Sequence, residues 1–170
     1  MMGPCGSGKS TLGLALANRL GWPYLEGDDL HPPQNVALMA AGTALTDRER
    51  APWLDAISAR MEELLQRQES AVVSCSALAR RYRARLADAR GRVLFVYLVV
   101  PEAELRARMT NRSSHFMPAS LVDSQLATIE PPQSDENALI LDGTLPPEQL
   151  LEMLVAKIRA RVVPSPATRT

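Results

Sequence analysis

Four residues near the start of the chain have the types and spacing to hold phosphate. Gly3, Gly8, Lys9 and Ser10 fit G-x-x-x-x-G-K-[ST], the pattern of a nucleotide-binding turn. Such a turn aims the backbone N–H groups of residues 6–9 inward at a polyphosphate, and Gly6 and Gly8 can adopt dihedrals that other residues resist. A helix beginning near Lys9 would point its positive end at the same anion. Lys9 would reach the β- and γ-phosphates, and the Ser10 hydroxyl would ligate Mg²⁺. Gly3, Gly6, Ser7, Gly8, Lys9, Ser10 and Thr11 are therefore the candidate nucleotide contacts, with ATP and Mg²⁺ as the implied cofactors.

A second group follows the first helix. Glu26, Asp28 and Asp29 flank Gly27 and lie close to His31. Phosphate-loop enzymes often support their metal with a carboxylate at the end of a hydrophobic strand, yet "AVVSCS" and "VLFVYLVV" end without one. The acids at 26–29 are the nearest candidates. One reading is a solvated acidic turn. The other is that one carboxylate supports Mg²⁺ through water while another takes a proton from an attacking hydroxyl.

The elements that must position these groups alternate between strand and helix. Leu12, Leu16 and Leu20 recur at helical spacing over 9–20, and Gly21 stops the run. "WPYLEGDD" reads as a short strand ending in the acidic turn, and 35–41 as a short helix ended by Gly42. A long helix is expected over 50–68, with Pro52 in its first turn, where proline is tolerated. "SAVVSCSA" reads as a buried strand, 77–89 as an arginine-rich helix, and "RVLFVYLVV" as a strand apolar on both faces. Helices over 101–112 and 119–129 flank the loop "NRSSHFMP"; "ALILD" is the last strand and 147–161 the last helix. Alternation of this kind predicts a parallel sheet of α/β type, with ligands at the strand ends. The residues at 163–170 read as a disordered tail.

Bulk properties narrow the class. At 170 residues the chain reads as one domain. Its 19 basic and 19 acidic side chains cancel, which gives no support to a nucleic-acid or membrane-surface partner. Cys5 and Cys75 are the only cysteines and form no disulfide or zinc pattern. No apolar run approaches the ~20 residues of a membrane helix, and no signal peptide is evident. The expectation is a cytoplasmic domain.

Several motifs then occur in order: "GDDLHPPQN", "ALTDRERAPWL", "SCSALARRYR", "HFMP" and "SQLATIEPP". Together with the phosphate loop they resemble the small gluconate kinases (gluconokinases) of the nucleoside-monophosphate-kinase-like fold, over residues 2–132. The resemblance implies a P-loop kinase domain over 1–162, with a parallel five-stranded sheet flanked by helices on both faces and a small lid at about 108–118. It implies transfer of the ATP γ-phosphate to D-gluconate, giving 6-phospho-D-gluconate and ADP, and it implies a homodimer. Residue by residue, it makes Asp28 the catalytic base, His31 a substrate contact and Glu26 a metal support through water. Arg50 and Trp53 match the segment beside the sugar acid, and Ser76, Tyr82 and Arg83 match a second one. Arg108, Arg112 and His115 match the lid, with Arg112 stabilising the transferring phosphate and Arg108 on the nucleotide. Three positions depart from the family pattern: Glu26 where aspartate is frequent, Ala79 where lysine is expected, and Leu126 where an aromatic residue is frequent.

The chemistry of the residues agrees with that implication. Gluconate is an anion, and Arg50 and Arg83 can offer planar bidentate donors to its carboxylate. The blander alternatives are a solvated helix face for Arg80, Arg81, Arg85 and Arg90, a loop role for His115 and a core role for Trp53. Rival functions are a shikimate kinase-like enzyme, a nucleotide kinase, and a non-catalytic ATP-binding module. One structural problem stands beside them. A strand of ~5 residues normally feeds a phosphate loop, and here only Met1 and Met2 precede Gly3. That strand belongs between "AVVSC" and "LFVYL", so the expectation is that the natural protein carries several more apolar residues before Met1.

Overall fold

The computed structural model describes residues 1–87, 91–110 and 121–162. Four parallel strands alternate with helices. Helix α1 (Lys9–Leu20) leads to β1 (Tyr24–Glu26), a 3₁₀ turn (Gly27–Leu30), α2 (Pro33–Ala40) and α3 (Asp47–Gln66). Then come β2 (Val72–Ser74), α4 (Arg80–Leu86), β3 (Phe95–Val99), α5 (Glu102–Thr110), α6 (Leu121–Thr128), β4 (Ala138–Asp142) and α7 (Pro147–Val162).

The five-stranded sheet expected from the resemblance is not what is seen. Two parallel pairs form instead, β1 with β2 and β3 with β4. Residues 1–3 lie between them, at the place expected for the strand that feeds the phosphate loop. The Met1 amino group donates to the Val73 carbonyl at 2.7 Å, and Met2 forms a parallel bridge with Tyr97. The Met2 N–H donates to Val96 and its carbonyl accepts from Leu98, at 2.7 and 3.2 Å. Two residues thus hold the two pairs in one layer.

Helices cover both faces of that layer. On one side, Leu12, Leu16 and Ala17 of α1 pack with Leu150, Leu154 and Val155 of α7 against Val72, Val96 and Leu141. On the other, Trp53, Leu54 and Ile57 of α3 meet Tyr82 and Leu86 of α4 over Met2, Cys75 and Tyr97. A third cluster sits beside the phosphate loop, where Cys5 meets Met39, Leu45, Met109, Leu121 and Val122.

Two helices differ from expectation for local reasons. Helix α3 begins at Asp47, because the Glu49 carboxylate accepts both the N–H and the hydroxyl of Thr46, each at 2.6 Å, in a capping box. Pro52 consequently lies inside the helix rather than in its first turn. Helix α4 starts only at Arg80, since Ala77 takes a left-handed φ of 44° and Ala79 is extended. Among the described residues, no helix is long and apolar enough to cross a membrane.

Candidate active site

The phosphate loop joins the stub at residues 1–3 to α1. Gly3, Gly6 and Gly8 have φ values of 138°, 83° and 94°, a run that residues with a Cβ rarely adopt. Gly8 caps α1, and its carbonyl accepts from the N–H of Leu12 at 3.0 Å. The ammonium of Lys9 folds back onto the Pro4 carbonyl at 3.1 Å. Ser7 is buried, and its hydroxyl makes no hydrogen bond. A buried hydroxyl without a partner in an anion-binding turn suits a phosphate oxygen.

The acidic turn packs at the end of β1. A Cβ on Gly27 would meet the Ser74 carbonyl at 2.3 Å, so only glycine fits there. The Gly27 carbonyl in turn accepts from the Trp53 indole at 2.7 Å. This fixes the turn and orders the three acids. Asp29 is exposed, whereas Asp28 is half-buried and lines a cavity with Lys9. Glu26 takes a different part: one carboxylate oxygen accepts from Tyr24 at 2.7 Å, and the other is buried with no hydrogen-bond partner. Burial pushes the Tyr24 phenol up to about 12, with the side chains of Ser74, Glu26 and Ser10 beside it. Hard oxygens from Ser10 and Glu26, without softer ligands, suit Mg²⁺, which takes few protein ligands and relies on phosphates and water for the rest. Among the described residues there is no cluster of three or more His, Cys, Asp or Glu that could hold a metal by itself.

The cavity, about 50 Å³, brings together Lys9, Asp28, His31, Arg50, Trp53 and Ser76 from four separate stretches of chain. It has room for a water or two, so a larger ligand must part its walls. The His31 ring stacks on Trp53 with centroids 4.2 Å apart and planes 12° from parallel. Burial, with the Arg50 charge second, lowers the His31 pKa to about 4. The ring is therefore neutral near pH 7. Asn35 presents its amide Nδ2 to His31 Nδ1 at 3.4 Å and donates to the Glu49 carbonyl at 2.8 Å. An amide nitrogen can only donate, so Nδ1 is the acceptor and Nε2 carries the proton.

Arg50 reaches the cavity under the control of a network the sequence did not reveal. Its guanidinium donates to the Tyr82 hydroxyl at 3.3 Å and lies over that ring. Tyr82 donates to Asp47, which also takes two hydrogen bonds from Arg81 at 2.8 and 3.0 Å. Arg81 and Tyr82 hold the Asp47 carboxyl well below its usual range, at about 2.

Arg83 does not join this cavity. It is 1% exposed, makes a bidentate pair with Glu136 at 2.6 and 2.8 Å, and donates to the carbonyls of Ala77 and Leu78. Its donors hold the β2–α4 connection, so of the two arginines expected at the site only Arg50 lines the cavity. Arg108 lies on α5, where it bonds Glu104 and the Gly143 carbonyl at 2.9 and 3.1 Å, away from the cavity. Arg112 and His115 fall outside the described residues. Among the residues not singled out from sequence, Gln125 and Ser124 of α6 line the cavity, and the Gln125 carbonyl oxygen accepts from the Cys5 N–H at 2.6 Å. Gln125 lies within "SQLATIEPP", a motif that does not by itself mark which of its residues faces a ligand.

A phosphate loop opening a helix, a carboxylate beside its lysine and helices on both faces of a parallel layer define a P-loop kinase. A family model described as an AAA domain matches residues 1–132. The gluconokinase of Gluconobacter oxydans is 44% identical over 160 residues, covering 94% of this chain and 90% of that protein. Among solved structures, a gluconokinase from Sinorhizobium meliloti superposes with a TM-score of 0.80 at 41% identity, covering 95% of each chain. A sugar kinase from Janibacter gives 0.87 at 41% identity, covering 93% of this chain and 91% of that one. The chain belongs to the gluconokinase family.

Proposed function

We propose that the chain transfers the γ-phosphoryl group of ATP to the 6-hydroxyl of D-gluconate. The observation that carries this reading is the single cavity shared by Lys9, Asp28, His31, Arg50, Trp53 and Ser76. It joins the phosphate loop to one carboxylate, one cation and a stacked aromatic wall. Arg50 pairs with the gluconate carboxylate, and the Nε2–H of His31 donates to a sugar hydroxyl. Asp28 takes the proton of the 6-hydroxyl as that oxygen forms its bond to phosphorus and the bond between phosphorus and the β–γ bridging oxygen breaks. Lys9 and the loop N–H groups steady the charge that builds on the leaving ADP. Mg²⁺, when bound, neutralises phosphate charge; Ser10 and Glu26, the latter through water, would hold it. Arg108 belongs to the nucleotide side, and the resemblance assigns Arg112 to the transferring phosphate and His115 to the substrate.

ADP release coupled to a reporter, with gluconate, glucose, shikimate and nucleoside monophosphates offered in turn, tests the reading. Gluconate alone should support rapid turnover. Glucose lacks the carboxylate and would leave Arg50 unpaired, a loss of about 1–3 kcal/mol. Equal efficiency on glucose and gluconate removes the carboxylate-reading role of Arg50, and turnover of shikimate or a nucleotide in place of gluconate removes the assignment itself.

A further inference from the structure

The reaction steps use Ser10 and Glu26 and leave unused the residue whose hydroxyl stands beside both, Tyr24. Tyr24 and Glu26 alternate on β1 with Leu25 between them, so their side chains share one face of the strand. Val72 and Ser74, their register partners on β2, share that face. It is the face that α1 covers, because Leu12 and Leu16 of α1 cluster with Val72 and Tyr24 packs against them. Gly13 makes the close approach possible: a Cβ there would come within 3.0 Å of the Tyr24 ring. The ring therefore lies against α1, with Ser10 about one turn nearer the phosphate loop.

Inside this cluster the hydrogen bonds are incomplete. The Tyr24 hydroxyl donates to one carboxylate oxygen of Glu26 at 2.7 Å. A phenol is protonated at neutral pH and has one hydrogen to give, so that bond uses its whole donor capacity. The second Glu26 oxygen is buried without a partner. Ser74 is fully buried, and its hydroxyl, close to the phenol, makes no hydrogen bond. Two orphaned polar atoms on paired residues require a donor that the chain does not supply. Water held by a hard cation is such a donor, and Mg²⁺ keeps several waters when it binds phosphates. A free glutamate side chain would lose rotamer entropy on meeting that water. One hydrogen bond from a ring already packed on α1 removes the freedom beforehand.

We propose that Tyr24 is a positioning residue for the metal side of the site: its hydroxyl holds one oxygen of Glu26 so that the other accepts from water on the Mg²⁺ that Ser10 ligates. Tyr24 lines none of the cavity in which the transfer takes place. The inference rests on Glu26 supporting the metal through water, and it is independent of the acceptor sugar.

The test measures ADP binding by calorimetry without gluconate, once with saturating Mg²⁺ and once with the metal chelated. The ratio of the two dissociation constants reads the contribution of the metal. Tyr24→Phe keeps the ring against Gly13 and removes only the hydroxyl. It should shrink the ratio about fivefold, the worth of roughly one hydrogen bond, with metal-free ADP binding within about twofold of the parent. Glu26→Gln should shrink the ratio at least as far. Adding Tyr24→Phe to Glu26→Gln should change it no further, because the tyrosine acts through the carboxylate. Equal weakening of ADP with and without Mg²⁺ in Tyr24→Phe would give the hydroxyl a packing role alone and overturn the proposal. Additive losses in the double variant overturn it too. An unchanged ratio in Tyr24→Phe beside a reduced one in Glu26→Gln removes Tyr24 alone. An unchanged ratio in Glu26→Gln removes the metal role of Glu26 and the proposal with it.

Discussion

At the scale of single residues, the site separates groups that do chemistry from groups that hold them. Asp28 faces the cavity and Asp29 does not, so Asp28→Asn should lower turnover by ~10²–10⁴-fold, the range for a general base, with ATP binding nearly unchanged by calorimetry. Near-normal turnover would transfer the role elsewhere. Tyr82 holds Arg50 without lining the cavity. Tyr82→Phe should therefore raise the KM for gluconate about fivefold, the value of roughly one hydrogen bond, and leave kcat within about twofold. A fall in kcat at unchanged KM would show that Tyr82 acts on the reaction step instead. His31 gives a pH signature. Its pKa falls from 6.5 in the free side chain to about 4 when folded, so between those values the unfolded chain binds the proton first and stability drops as pH falls. His31→Gln removes this contribution, and the Tm difference between about pH 7 and about pH 5 should shrink in the variant. The resemblance to a family could point to Asp28, His31 and Arg50 through the motifs they share. It could not report the stacking of His31 on Trp53 or the Asp47–Tyr82 link, because those contacts are made by the fold.

At the scale of elements, the informative case is α4. Its sequence reads as an arginine-rich helix in which Arg83 resembles a substrate ligand, yet the side chain pairs with Glu136, 53 residues away. No local pattern predicts a partner at that distance. The periodicity of "ALARRYRARLADA" likewise conceals the extended start that places the Ala77 and Leu78 carbonyls within reach of the guanidinium. By contrast, a local signal for the early start of α3 stands in "TDRE", a capping box of threonine with glutamate three residues on, although the expected start was residue 50. The structural role of Arg83 makes a prediction opposite to a substrate role. Removing one partner from a buried ion pair costs about 3–5 kcal/mol, so Arg83→Ala should lower the Tm by about 10 °C. The gluconate KM, measured well below that Tm, should stay near the parent value, while Arg50→Ala raises it. Glu136→Gln should reproduce the loss of stability in milder form. A raised KM in the still-folded Arg83→Ala enzyme would return Arg83 to the substrate. Gly6 of the loop packs on Leu105 and Met109 of α5, and Cys5 is bonded by Gln125 of α6, so the two helices flanking residues 111–120 both touch the loop.

At the scale of the whole molecule, the α/β class and the layered order were legible, because alternating strand and helix periods admit few arrangements. The division into two strand pairs was not legible, since pairing depends on which backbone groups find partners across the sheet. Those pairings also set a timetable for folding. Each strand pair, and each bond from residues 1–3 to the strands beside them, links distant parts of the chain; Met1 and Val73 are 72 positions apart. Long loops must close before any of these contacts stabilises the chain, so folding should be slow for the domain's size. Stopped-flow refolding followed by the fluorescence of Trp22 and Trp53 should give times of ms to s or longer, and microsecond refolding would contradict the topology. During synthesis the order is stricter still. Residues 1–3 leave the ribosome before either of their two neighbours, and the second neighbour is complete only after Leu98 has followed, at ~5–20 residues per second. For several seconds the start of the phosphate loop has no sheet to join, and the nucleotide site, though its loop is made early, is assembled at a late stage.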